Sequence, residues 1–344
     1  MERRNFIRNS ALGLGAGVTL SSSTLSSANG LIGNLEAEKL PREVWIASFS
    51  STRVEADNHD EMVKKVLEYM EEISNYKPDI ICLPEIFPFF HISERVAVQD
   101  VAENPPGKII SKFAEFAKKN STYIVCPLYT VHDGKYFNAA VIIDREGKVM
   151  GEYKKIHTTE GEMEEGVSPG PLDPPVFKTD FGTIGVQICF DLEWDDGWKK
   201  LREKGAEIVF FCSAYAGGIA VNTRAWQNKF FVVSSTLEGA AKICDISGTE
   251  VARTGRWQRN WVIAPINLEK IFLHTWPFNS RFKEINAKYG RKVRISNFDE
   301  EEWSVIESLS PDVKMADIIK EFDLLTHEEH IQSATAMQNG KRPL

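Results

Sequence analysis

A chain of 344 residues, 42% of them hydrophobic, can bury a core large enough for one big domain or two ordinary ones. Its formal charge of −8 at pH 7 offers no cationic footprint. That argues against nucleic acid or an anionic membrane surface as partner, and leaves a small molecule or another protein.

The beginning of the chain differs from the rest. Arg3-Arg4-Asn5-Phe6-Ile7 precedes a mildly apolar, Gly- and Ser-rich run from Ala11 to Leu25. This reads as a twin-arginine export signal over residues 1–28, with cleavage expected after Ala28. No later segment has the roughly 18 uninterrupted apolar residues that a membrane span requires. A soluble mature protein, periplasmic or secreted, is therefore expected. The five cysteines include no C-x-x-C pair, and Cys82, Cys126, Cys212 and Cys244 lie in apolar runs. They are expected as buried thiols. Export of an already folded chain is compatible with these thiols, and a reduced Cys189, in an oxidising compartment.

Beyond the signal, short apolar runs alternate with amphipathic stretches, the pattern of an α/β protein. Strands are expected at 44–48, 80–84, 123–128, 137–143, 183–189, 207–211, 230–235 and 261–266. Met62, Val66, Met70 and Ile73 recur at helical spacing, as do Ile109, Phe113 and Phe116. A further helix over 198–204 is closed by Gly205. The interleaving gives one domain over 42–268. From residue 269 to 344 a charged extension follows, with a helix expected to start on Ser310 as N-cap and Pro311 at N1. Its apolar stripe of Met315, Ile318, Ile319, Phe322 and Leu325 reads as packing against the body or against another subunit. His327-Glu328-Glu329-His330 lacks the i, i+4 histidine spacing of a zinc-protease helix and reads as a solvated tail. No metal site and no glycine-rich phosphate loop is expected.

Three strand ends carry chemistry-bearing residues. The apolar run Thr183–Ile188 delivers Cys189 just where the sequence turns polar, so its sulfur can face a pocket. A lone Cys in an apolar run is ordinarily a core residue, and only company changes that reading. Asp79-Ile80-Ile81-Cys82-Leu83-Pro84-Glu85 places a carboxylate beyond a second strand. Partial desolvation raises a carboxyl pKa, which suits a general base. The bland alternative is a solvated loop glutamate. Gly151-Glu152-Tyr153-Lys154-Lys155-Ile156-His157 supplies an ammonium after a third strand. Near a thiol it would lower the cysteine pKa and neutralise an oxyanion, although paired lysines are ordinarily a solvated face.

Glu, Lys and Cys in this order, each behind a strand, resemble the triad of the nitrilase superfamily of carbon–nitrogen hydrolases. Leu83-Pro84-Glu85-Ile86-Phe87 is similar to that family's Glu motif, Tyr153-Lys154-Lys155-Ile156-His157 to its Lys motif, and Gly185-Val186-Gln187-Ile188-Cys189-Phe190-Asp191 to its nucleophile motif. Phe137-Asn138-Ala139-Ala140, Ser168-Pro169-Gly170 and Lys204-Gly205-Ala206-Glu207-Ile208 fall in register with them. The resemblance implies a four-layer α-β-β-α sandwich of two mixed sheets, no cofactor, and a homodimer or larger homo-oligomer. It makes Glu85 the base, Lys155 rather than Lys154 the cation, and Cys189 the nucleophile. A second glutamate is implied after the Lys motif. Glu160, Glu162, Glu164 and Glu165 all qualify, and spacing from Pro169-Gly170 favours Glu162, with Glu165 next.

After the nucleophile the chain departs from the family with Leu192-Glu193-Trp194-Asp195-Asp196, which bears on substrate choice. Phe190 and Trp194, with Glu162, are the candidate substrate-binding residues. His157 is expected to brace the Lys loop by hydrogen bonding. Trp194, Trp198 and Trp226 fit either pocket or core. The implied reaction is cleavage of an amide or N-carbamoyl C–N bond through a thioester. Its rivals are a nitrilase acting on C≡N, a metal-dependent phosphoesterase of similar sandwich fold, and a non-catalytic binding protein.

Overall fold

The structure, a computed structural model, describes residues 39–343, so the segment 1–28 read as an export signal lies outside the described residues. In chain order the strands are β1 (Glu43–Phe49), β2 (Ile80–Cys82), β3 (Tyr123–His132), β4 (Lys135–Ile143), β5 (Val149–Lys154), β6 (Phe177–Lys178), β7 (Thr183–Ile188), β8 (Ile208–Ser213), β9 (Phe231–Thr236), β10 (Lys242–Cys244), β11 (Glu250–Arg253), β12 (Trp261–Asn267), β13 (Lys270–His274), β14 (Val293–Phe298) and β15 (Trp303–Ser308). The helices are α1 (His59–Ser74), α2 (Val98–Val101), α3 (Lys108–Asn120), α4 (Glu160–Glu164), α5 (Asp196–Glu203), α6 (Gly218–Asn228), α7 (Thr275–Tyr289), α8 (Met315–Phe322) and α9 (His327–Lys341).

Two six-stranded mixed sheets, β12-β1-β2-β3-β4-β5 and β11-β10-β9-β8-β7-β6, face each other. In each, three neighbouring strands run parallel: β1, β2 and β3 in the first, β7, β8 and β9 in the second. Residue alternation along a strand decides which layer each side chain joins. Ile184, Val186 and Ile188 of β7 and Ile208, Phe210 and Cys212 of β8 point into the inter-sheet core, whereas Val209 and Phe211 point out under the helices. Helices α1 and α3 cover the first sheet with the stripes that their helical spacing announces, Met62, Val66, Met70 and Ile73 among them. Each fully buried side chain of this kind contributes about 1.5–3 kcal/mol. Helices α5 and α6 cover the second sheet through Trp198, Leu201, Val221 and Ala225. The result is the α-β-β-α sandwich.

All eight expected strands are present, with ends shifted by a residue or more; β2 in particular closes at Cys82, two residues before Pro84. The extension departs further from its sequence reading. It contains a third sheet, β13-β15-β14, whose hairpin turn holds the Glu300–Glu302 run. Val293 and Ile295 alternate with Arg294 and Ser296, a two-residue period masked by the surrounding charge. Its helix α8 begins at Met315 rather than near Pro311, because the Met315 N–H is satisfied by Glu269 Oε1 at 2.7 Å while Ser310–Val313 forms a turn. The stripe of Met315, Ile318, Ile319, Phe322 and Leu325 packs within the chain against Ile271, Leu273 and Ile306. The His327–His330 segment is not a solvated tail: His327 lies edge-on against Phe272, and His330 against Phe278 and His274. Among the described residues no helix is long and apolar enough to cross a membrane.

Candidate active site

The parallel strands of both sheets deliver their C-terminal ends to one place. Beyond β2 the chain runs through Leu83 and Pro84 to Glu85, and then turns sharply, with Ile86 at φ 35°. Glu85 is buried, 3% exposed, and three donors satisfy its charge. Oε1 accepts from Lys155 Nζ at 2.9 Å and from Asn138 Nδ2 at 2.8 Å, and Oε2 accepts from the Ala214 N–H at 2.9 Å. A buried carboxylate is tolerable only with such partners.

Lys155 follows β5, where strand alternation sends Tyr153 and Lys155 inward and Lys154 outward. Lys155 Nζ lies 2.7 Å from Glu162 Oε2 as well as against Glu85. Lys154 instead pairs with Glu152 at 3.1 Å and sits over the Phe137 ring. The lysine loop is held from behind by Gly170, whose N–H donates to the Lys155 carbonyl at 2.8 Å. A Cβ there would lie 2.4 Å from the Lys154 carbonyl oxygen, so the Pro169-Gly170 landmark marks a close backbone approach.

Of the four glutamates after the lysine motif, Glu162 is the one that reaches the cluster; Glu160, Glu164 and Glu165 are exposed. It is the N3 residue of the capping box that starts α4, accepting from Thr159 N–H at 2.8 Å, and this fixes its carboxylate toward Lys155. The same Asn138 Nδ2 that bonds Glu85 also bonds Glu162 Oε1 at 2.7 Å. Fully buried Asn138 thus spaces the two carboxylates, with Lys155 between them.

Cys189 follows β7 in a left-handed conformation, φ 47°, that favours glycine. Strain of this kind is held by surrounding contacts. Asp191, fully buried, supplies them: Oδ2 accepts from the Ile188 N–H at 2.9 Å and from Tyr153 OH at 2.6 Å, while Oδ1 accepts from the His157 N–H at 2.8 Å. One carboxylate therefore ties the cysteine turn to the lysine loop. His157 Nδ1 is 3.0 Å from Asp191 Oδ1, the bracing role expected of it.

The electrostatics add burial to what the sequence shows. Burial pushes the Cys189 thiol up to about 12, the Glu85 charge pushes the same way, and Lys155 opposes without prevailing. At neutral pH this environment favours the neutral thiol of Cys189 over its thiolate. For Lys155, burial works against the ammonium, but Glu85 and Glu162 outweigh it and hold its pKa above the lysine range. For Glu162, burial works against the carboxylate, but Lys155 and Asn138 hold its pKa below the usual value.

Phe190 and Trp194 stand just past the nucleophile, edge to face at 4.9 Å; Trp194 is 40% exposed and stacks flat on His157 at 4.2 Å. The divergent turn is pinned by Arg224, which pairs with Asp195 and donates to the Leu192 carbonyl at 2.6 Å. Trp198 is core, bonding the Asp191 carbonyl, and Trp226 packs on Trp303 of the extension. Sequence reading missed Asn138, Asp191, Tyr129 and Tyr215. Tyr129 is buried near Glu162 and Glu85, and Tyr215, 39% exposed, is near Cys189. Asn138 and Asp191 did stand inside the family-like motifs, and that was their one signal. Among the described residues no group of three or more His, Cys, Asp or Glu is arranged to hold a metal ion.

The family profile described as carbon-nitrogen hydrolase matches residues 50–272. The chain belongs to the carbon–nitrogen hydrolase family. Curated members of this family similar to it include the nitrilase and fragile histidine triad fusion protein of Drosophila melanogaster, 29% identical over 64% of this chain and 48% of that protein. Another is the beta-ureidopropionase of Arabidopsis thaliana, 32% identical over 45% of this chain and 42% of that one. The chain spans about half the length of these relatives. Among solved structures, a Saccharomyces cerevisiae member of branch 10 of the nitrilase superfamily aligns with TM-score 0.58 at 20% identity, over 67% of this chain and 93% of that one. An amidase from Nesterenkonia aligns with TM-score 0.59 at 17% identity, over 74% and 99%. A variant of that amidase carries the acetamide moiety of fluoroacetamide on its active site cysteine. At such identity these structures establish the carbon–nitrogen hydrolase fold.

Proposed function

We propose that the protein is a thiol hydrolase that cleaves a non-peptide C–N bond, an amide or an N-carbamoyl group, with Cys189 as nucleophile. The observation that carries this reading is the cluster in which Glu85 meets Lys155, Asn138 and the Ala214 N–H beside the strained Cys189. Glu85 takes the Sγ proton as sulfur attacks the carbonyl carbon, and Lys155 stabilises the oxyanion. The C–N bond then breaks, the proton on Glu85 passes to the leaving nitrogen, and a thioester remains on Cys189. Water, deprotonated by Glu85, attacks the thioester; the acid departs and the thiol is restored. Glu162 holds Lys155 and Asn138 in place, while Phe190 and Trp194 form a wall against which the substrate body rests. A homodimer or larger homo-oligomer belongs to the same proposal, as does periplasmic or secreted localisation through the arginine pair.

Ammonia release from primary amides, N-carbamoyl compounds and nitriles tests the reading, with Cys189→Ala and a chelator in parallel. Release that survives chelator and vanishes with Cys189→Ala supports it and names the substrate class; nitrile-only release selects the nitrilase alternative. Chelator-sensitive phosphoester cleavage indifferent to Cys189→Ala would replace it with the phosphoesterase. If neither activity is found, the binding-protein alternative gains.

A further inference from the structure

Where the second sheet meets the C-terminal extension, the chain forms a solvent-open cavity of about 240 Å³ that shares no lining residue with the cluster around Cys189. Its polar wall carries Arg202, Lys229, Lys270 and His327, and its apolar wall includes Phe231, Leu268 and Phe272. Most of the ionic groups here are matched. Arg202 pairs with Glu328 at 2.8 Å, Lys270 with Asp245 at 2.6 Å, Glu207 with Arg42 at 2.9 Å, and Glu307 with Arg294 at 2.6 Å.

Lys229 is different. Among the described residues no carboxylate lies within ion-pair distance of it. Its ammonium donates to the Trp226 carbonyl and sits 4.2 Å from the Phe272 ring and 4.7 Å from the Trp226 and Trp303 rings. An ammonium has three N–H donors, and the rings supply only partial compensation. Burial and the nearby Arg202 bring its pKa down to about 8, as expected of a cation lacking an anion. Burial, then Lys229 and Arg202, push His327 down to about 4, so it is neutral at pH 7 and adds no charge of its own. The first residues of helix α9, His327 and Glu328, line the same cavity, but that helix N-terminus is already served by its Thr326–Glu329 capping box and by the Glu328 carboxylate, so Lys229 is the group left for an anion.

We propose that this cavity binds a small monocarboxylate with an apolar body, its carboxylate on Lys229 and its body against Phe231, Leu268 and Phe272. The single unmatched cation selects a monoanion over a phosphate dianion, and the apolar wall selects an acid with a hydrocarbon part over a bare inorganic ion. This site does not depend on the catalytic reading.

Isothermal titration of the full chain with benzoate, and separately with inorganic phosphate, tests the assignment at a pH near the Lys229 value, in two buffers of different ionisation enthalpy. Wild type should bind benzoate saturably and take up protons, because the carboxylate draws a proton onto Lys229 against its burial and Arg202. Lys229→Met, which keeps the stem against the rings, should weaken binding about tenfold or more, the loss of one charge-assisted hydrogen bond. Lys229→Arg should bind without proton uptake. Phosphate should bind more weakly than benzoate. Absence of saturable benzoate binding, equal binding by Lys229→Met, or phosphate binding tighter than benzoate overturns the proposal. Should Lys229→Met fail to fold by circular dichroism, Lys229→Gln takes its place under the same criteria.

Discussion

Replacing Glu162 with glutamine removes one charge and little volume, and its consequences follow from four contacts. The carboxylate accepts from Lys155 Nζ, Asn138 Nδ2, the Thr159 N–H and the Thr159 hydroxyl. A glutamine has one acceptor oxygen, so its NH₂ must face Lys155 or Asn138, donor against donor. Lys155 retains Glu85, which limits the damage to one charge-assisted contact, about 2 kcal/mol. In a chain of this size, at about 2.1 cal/mol/K of unfolding entropy per residue, that lowers the unfolding midpoint by roughly 3 °C. The Glu162 pKa lies below its ordinary 4.5, so the unfolded chain binds that proton more tightly than the folded one. The contribution is therefore fully present above the unfolded value and is lost as pH falls through the lower folded value. Thermal unfolding of wild type and Glu162→Gln should differ fully at neutral pH, with the gap closing as pH falls below 4.5 toward the lower folded value. Amide turnover should fall about 10²-fold as Lys155 loses its fixed position. An unchanged midpoint at neutral pH, or a gap that widens in acid, would refute this account of Glu162.

Lys155→Ala leaves Glu85 and Glu162 buried without their cation and should cost about 3–5 kcal/mol in chemical denaturation, with turnover lost; Lys154→Ala should leave turnover near wild type, and the reverse pattern would overturn the lysine assignment. Glu85→Gln should lower the Cys189 pKa from about 12, because the charge that raises it is gone, while abolishing amide hydrolysis; ultraviolet titration of the thiolate reads the shift, and an upward shift would contradict the sign. Gly170→Ala drives a methyl group into the Lys154 carbonyl and should cost about 1–3 kcal/mol in denaturant unfolding with slowed turnover. Changing Arg3 and Arg4 together to lysine should retain the protein in the cytoplasmic fraction; undiminished export would remove the twin-arginine reading.

Glu85 and Cys189 were legible because each stands directly behind an apolar run, whereas Lys155 follows the mixed strand Val149–Lys154 and was picked out, as was one of five cysteines, by the family motifs. Glu162 was narrowed by spacing, but what aims it is a capping box with Thr159, a local feature already present as Thr-x-x-Glu. Asn138 could not be assigned its bridge from sequence, since that depends on β4 lying between β3 and β5 so that one amide meets carboxylates from two loops. Sequence shows the lysine that lowers the Cys189 pKa but neither the burial nor the closeness of Glu85 that together outweigh it. The third sheet was hidden by charge: edge strand β14 alternates over only a few residues, and central strand β15 buries polar Ser304, Glu307 and Ser308 along with Val305 and Ile306, so neither shows a clear apolar period. The same charge concealed the junction cavity, in which matched ions leave Lys229 over.

Labelling with fluoroacetamide, followed by peptide mapping and amide turnover on the same sample, tests the central claim whichever amide the enzyme prefers. Cys82, Cys126, Cys212 and Cys244 are buried, whereas Cys189 is half-buried beside Glu85. The account predicts a single acetamide on Cys189, formed as the C–F bond breaks, with turnover lost in proportion. Turnover that persists after Cys189 is fully modified would contradict it.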